Sequence, residues 1–132
     1  MSRASAVVLV CAMLASGCTR EPTSSQEFAC TTSVEPALVV FISDSVTARP
    51  LASAAVGVAR DGLFQDSLRP RLFSSAGELL ARSGADERQG VYRVTVTLAG
   101  YRTWTSGTVA ITRNVCHVNT QTLLARLQPA SQ

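Results

Sequence analysis

The stretch Gly90-Val91-Tyr92-Arg93-Val94-Thr95-Val96-Thr97-Leu98-Ala99-Gly100-Tyr101-Arg102-Thr103-Trp104 decides the fold class. Tyr92, Val94, Val96 and Leu98 are apolar, and Arg93, Thr95 and Thr97 between them are polar. A period of two sends alternate side chains to opposite faces, so this is a strand with one dry and one wet face. Ala99-Gly100 stops the run, and Tyr101 and Trp104 follow as large side chains beyond the turn.

The same grammar extends outward. Ala37 to Ile42 is an unbroken apolar run after Pro36, rich in β-branched residues, and predicts a central strand covered on both faces. Ala54 to Arg60 predicts a second strand, Asp61-Gly62 a type I′ hairpin turn, and Leu63 to Leu68 the returning strand. A strict two-residue loop there would put Val56 and Val58 on one face with polar Gln65 and Ser67. A longer turn or a bulge after Gly62 is therefore expected. Pro70 ends this hairpin.

Arg71 to Ser83 is compatible with short strands or with a loop holding one helical turn. Gly84 to Gly90 is a charged turn. Thr108 to Thr112 alternates, with Val109 and Ile111 on one side, and Arg113-Asn114 turns the chain. Cys116 to Leu127 reads as the last strand. Its apolar phase slips near Thr122-Leu123-Leu124, which predicts a bulge or the strand's exit.

Hairpin turns and short strands over roughly 100 residues describe an all-β chain: a single immunoglobulin-like or prealbumin-like sandwich of about seven strands. The expected core is Leu38, Val40, Ile42, Val56, Val58, Tyr92, Val94, Val96, Leu98, Val109, Ile111 and Val118. With 132 residues there is room for one domain. The 12 basic residues are all arginine and face 9 acidic ones, a net charge of +3. The arginines are scattered along several strands, which argues against nucleic acid as a partner.

The N-terminus reads as an address. Arg3 precedes a short apolar run, Ala4 to Leu14, and the small residues Ala15-Ser16-Gly17 precede Cys18. The run is too short to span a bilayer and predicts a cleaved signal over residues 1–17. Thr19 to Glu27 is polar and contains Pro22, so residues 18–27 read as a flexible tether before a body at 28–128. Cys30 and Cys116 remain in an exported body, where disulfides persist, and suggest a staple between its two ends. The competing reading is a pair of buried thiols.

Ser16-Gly17-Cys18 resembles the lipobox of bacterial lipoproteins, with Ala15 where leucine is more common. The competing reading is an ordinary signal with an incidental cysteine. The resemblance implies acylation of Cys18 and a membrane anchor. With Thr19 after the cysteine, it implies an outer-membrane location facing the periplasm in an envelope that has one.

Two stretches of the body resemble the carboxypeptidase regulatory-like family of prealbumin-type sandwiches. One runs Val40-Phe41-Ile42-Ser43-Asp44, then Thr47-Ala48-Arg49-Pro50-Leu51-Ala52-Ser53-Ala54-Ala55-Val56-Gly57-Val58. Ala48 and Ser53 stand where that family commonly has glycine. The other is Gly90-Val91-Tyr92-Arg93-Val94-Thr95-Val96, continuing to Gly100-Tyr101. Cys116-His117-Val118-Asn119-Thr120 is similar to a run in small lipoproteins that carry such a domain. These resemblances imply a sandwich fold and no catalytic residues.

Chemistry is thinly represented. His117 is the only histidine, with Asp44, Asp61, Asp66 and Asp86 as nominal acid partners, but no nucleophile elbow or Gly-rich loop accompanies it. It reads as an exposed residue on a strand face, and Cys116 and His117, adjacent on a strand, point apart and make a poor metal grip. Asp61, Asp66, Asp86 and Glu87 lack the alternating spacing of a calcium loop. No cofactor or metal is expected. Tyr101 and Trp104, beyond the turn, are the candidate ligand-binding aromatics. The expectation is a non-catalytic, lipid-anchored envelope module that is structural or protein-binding; the alternative is a carbohydrate-binding accessory module using those two aromatics.

Overall fold

The computed structural model describes residues 28–131. The signal, tether and acylation expected over residues 1–27, including Cys18, lie outside the described residues. These contain nine strands and no helix: β1 (Leu38–Asp44), β2 (Val56–Asp61), β3 (Phe64–Ser67), β4 (Arg69–Phe73), β5 (Leu79–Gly84), β6 (Gly90–Thr97), β7 (Trp104–Thr105), β8 (Val109–Ile111) and β9 (Gln121–Leu127). They form a four-stranded sheet in the order β4-β5-β1-β9 and a five-stranded sheet in the order β3-β2-β6-β7, with β8 also on β6. The all-β sandwich class follows the sequence reading. The count exceeds seven because Arg69–Phe73 and Trp104–Thr105 add short edge strands.

β6 is the alternating strand quoted above. Tyr92, Val94 and Val96 are buried, while Val91, Arg93 and Thr97 are exposed. β1 is central, antiparallel to β5 and parallel to β9. Leu38, Val40 and Ile42 face the other sheet and are shut off from solvent. Burying side chains of this size stabilises the fold by about 1.5–3 kcal/mol each.

The β2–β3 hairpin departs from expectation. Asp61 pairs with Phe64, so the loop is the two residues Gly62 and Leu63, with positive φ at Gly62 alone. This is the type II′ pattern, with glycine at the first central position. No longer turn or bulge forms. Ala55, Gly57 and Ala59 face the core, and Val56 is 58% exposed with Val58 half-buried, so both leave the expected core. The reason is volume. Leu68, which carries the chain from one sheet to the other, packs where β2 offers glycine: a Cβ on Gly57 would lie 2.6 Å from Leu68 Cδ1. A Cβ on Gly84, in the opposite sheet, would lie 2.8 Å from Leu68 Cδ2. Phe64 meets Tyr92 edge-on at 6.2 Å, and the Arg88 guanidinium stacks 4.1 Å from the Phe64 centroid.

The illegible region resolves into strands. β4 and β5 form a hairpin closed by Ser74 to Gly77, with Gly77 at positive φ, and its register shifts around Leu72. Pro70 does not end a hairpin. It sits in edge strand β4, where a missing N–H is tolerated. The last strand begins at Gln121, not Cys116. It pairs with β1 in unbroken register, without a bulge, so Leu124 faces outward between inward Leu123 and Ala125. Cys30 and Cys116 form a disulfide with 5.2 Å between their Cα atoms, across 86 positions of sequence.

Candidate functional site

Two carboxylates organise their surroundings, Asp44 at the C-terminal end of β1 and Glu87, from the turn between β5 and β6, beside the N-terminal end of β1. At the C-terminal end, Asp44 is buried; its Oδ1 accepts from the backbone N–H groups of Val46 and Thr47, at 2.8 and 2.9 Å. Its Oδ2 accepts from the Tyr101 hydroxyl at 2.7 Å. These donors, the Thr47 N–H foremost and Tyr101 next, hold the Asp44 carboxyl at about 2, below an ordinary 3.8. The hydrogen bond joins the turn after β1 to the turn after β6, and Gly100 supplies the positive φ that aims Tyr101. Tyr101 is thus half-buried and committed to Asp44.

At the other end, Glu87 Oε1 accepts from the Glu35 backbone N–H at 2.9 Å and lies 2.6 Å from His117 Nδ1. The Glu35 N–H first, then His117, lower the Glu87 carboxyl from its ordinary value. His117 Nε2 lies 3.0 Å from Thr31 Oγ1. With the ring proton on Nδ1, His117 donates to Glu87 and accepts from Thr31. The His117 side chain is only 19% exposed and sits in a bend, not on a strand face. Asn114 sets that bend, its Oδ1 accepting from the backbone N–H groups of Cys116 and His117 at 2.8 Å each. Sequence reasoning missed Glu87 as the acid partner. The two residues are 30 positions apart and meet only through the fold. Glu87 also adopts a positive φ of 50°, as does Ala85 at 56°, and no glycine announced either.

The other carboxylates are used locally. Asp66 accepts from the Ala85 N–H at 2.7 Å, Asp86 pairs with Arg69 at 2.6 Å, and Asp61 faces Arg88 at 3.6 Å. Asp61, Asp66 and Asp86 therefore do not gather with Glu87. No group of three or more His, Cys, Asp or Glu side chains is placed to hold a metal among the described residues.

Three surface features remain. A shallow depression of about 420 Å³ is lined by Ala54, Val56, Thr97, Leu98, Ala99 and Thr103, none titratable. A groove of about 170 Å³ is lined by Arg102, Thr103, Trp104, Arg126 and Gln128. Trp104 lies here, half-buried against the core at the seam between β7 and β9, apart from Tyr101's partner Asp44.

The third is the outer face of the four-stranded sheet. Leu72 pairs with Ala81, Ala81 with Phe41, and Phe41 with Leu124, so one apolar row crosses all four strands. Leu72 is 40% and Leu124 60% exposed at the ends of the row, while Phe41 is half-buried and Ala81 is buried. A cleft of about 200 Å³ opens beside this row, where Phe41 and Leu124 meet Pro50 and Leu80. The row was hidden in sequence because it takes one residue from each of four strands.

The sequence matches no protein-family model, and no curated protein matches it.

Proposed function

We propose that this chain is a non-catalytic, lipid-anchored module of the bacterial cell envelope that binds a protein partner through the outer face of its four-stranded sheet. The observation that carries the reading is the apolar row Leu72–Ala81–Phe41–Leu124. Leu72 and Leu124 are its exposed ends, with half-buried Phe41 and buried Ala81 between them. Exposed apolar side chains grouped on one face mark an interaction site, and their burial supplies the core of a contact. His117 supports a structural role, since both ring nitrogens are engaged within the body. The prealbumin-type kinship is supported by the Asp44–Tyr101 hydrogen bond, which joins the two motif stretches. It is also supported by Ala48, whose φ of 59° suits the glycine that family commonly has there.

The test places a photocrosslinking side chain at Leu124, or at Arg60 on the opposite sheet, in the full chain in its own envelope. A discrete adduct from Leu124 alone, abolished by Leu72→Glu, is expected. Equal labelling from both positions, or none, overturns the reading. Cys18→Ser separately tests the anchor: the protein is expected to leave the membrane fraction.

A second reading, a carbohydrate-binding accessory module, is favoured by one observation. Trp104 is partly exposed in a groove whose other lining residues are polar. An indole face beside hydrogen-bonding side chains suits a sugar ring.

A further inference from the structure

The groove beside Trp104 has a definite chemical character. Its lining residues are two arginines, a tryptophan, a threonine and a glutamine, with no acidic residue among them. Arg69 is ion-paired with Asp66 and Asp86, Arg88 with Asp61 and Arg113 with Glu87, whereas Arg49, Arg71 and Arg93, which lie away from the groove, carry no ion pair among the described residues. Arg126 makes no ion pair and no side-chain hydrogen bond among the described residues. Arg102 spends one N–H on Ser131 Oγ at 3.3 Å and keeps the rest of its fork. The Trp104 indole N–H has no partner among the described residues and is not sealed from solvent.

The frame is set before any ligand arrives. The Arg102 N–H donates to the Gln128 carbonyl at 2.8 Å, and the Ala130 N–H to the Gly100 carbonyl at 2.9 Å. Tyr101 bridges Pro129 between them. These bonds tie the turn before β7 to the segment after β9, so both arginines are carried on fixed backbone. A fixed backbone limits the freedom lost on binding to that of the side chains themselves.

We propose that this groove binds a carboxylated saccharide, with the sugar ring against Trp104 and its carboxylate held by Arg126 and Arg102. The proposal rests on the carbohydrate-binding reading and adds the charge of the ligand. Guanidinium forks match a carboxylate in a bidentate fashion, and charge-assisted bonds are the stronger kind. A groove of about 170 Å³ is smaller than sites that enclose a whole drug-sized ligand. It therefore holds one sugar unit of a longer chain.

Trp104 is the sole tryptophan, so its fluorescence reports from the groove itself. The full chain is titrated with a galacturonic acid trisaccharide, with its neutral galactose counterpart and with inorganic phosphate. A saturable change with the uronate is expected, at least tenfold weaker with the neutral sugar and absent with phosphate. Arg126→Gln, at an exposed position, is expected to weaken uronate binding at least tenfold, while Arg71→Gln on the opposite edge changes nothing. Equal binding of both sugars, unaffected by Arg126→Gln, overturns the charge selection and leaves the carbohydrate reading standing. No response to either sugar overturns both. A phosphate response equal to the uronate's reduces the groove to a general anion contact and overturns the proposal.

Discussion

The two ends of the sandwich are closed by the same device with different reinforcement. Each end has a carboxylate that accepts from backbone N–H groups and from one ring-bearing side chain: Asp44 from Tyr101, Glu87 from His117. The Asp44 end relies on hydrogen bonds alone. The Glu87 end adds the Cys30–Cys116 disulfide and a stretch of positive-φ backbone at Ala85 and Glu87. The difference follows from where the chain enters. The segment before β1 belongs to no strand, so a few backbone bonds at Glu35 and Ala37, side-chain bonds and a covalent link tie it down.

The largest test of that difference is the disulfide. Closing 86 positions restricts the unfolded chain by roughly 4–5 kcal/mol on a chain-entropy basis. Cys30→Ser with Cys116→Ser is expected to lower urea-derived stability by roughly 3–5 kcal/mol. An unchanged midpoint would show that the clasp residues hold this end without it.

Next is Asp44→Asn, which weakens all three bonds at the other end. A fall in Tm of roughly 5–10 °C is expected by circular dichroism. Glu87→Gln should cost less, because the covalent link persists beside it.

Acid separates the ends further. Both carboxyls are lowered in the folded state, so each contributes stability above its unfolded pKa that is lost as pH falls. For Asp44 the loss runs from about 3.8 down to about 2. For Glu87 it begins below the ordinary 4.5. The wild-type Tm should therefore decline from about pH 4.5 downward. Glu87→Gln is expected to flatten the upper part of that decline and Asp44→Asn the lower part. Parallel curves for all three proteins would assign acid sensitivity elsewhere.

The smallest effect has the opposite sign. Ala48 adopts a φ of 59° in the turn after Asp44. Left-handed backbone costs a non-glycine residue roughly 1 kcal/mol. Ala48→Gly is expected to raise stability by roughly 0.5 kcal/mol after the added freedom of the unfolded chain. A loss on differential scanning calorimetry would mean that the turn contributes less strain than its dihedral implies.

Legibility varied with the range of the signal. The central and alternating strands were readable because burial of one face or both is written in consecutive residues. The Cys30–Cys116 pairing was readable because only two cysteines remain in the body. Val56 and Val58 misled: both are apolar and alternate, yet β2 turns Ala55, Gly57 and Ala59 inward to make room for Leu68. The start of the last strand misled for a similar reason. Cys116 to Thr120 alternates, but Asn114 and the disulfide fold it into a bend.

By itself, then, the sequence determined the class: period-two apolar patterning compels facing β layers, because only extended chain sends such side chains to one side. Tertiary structure decided which side chains share a neighbourhood. Glu87 meets His117, Tyr101 meets Asp44, and four strands each give one residue to the outer apolar row. Those meetings depend on strand order and on the room that small residues leave between the sheets. Neither quantity is local to any stretch of chain.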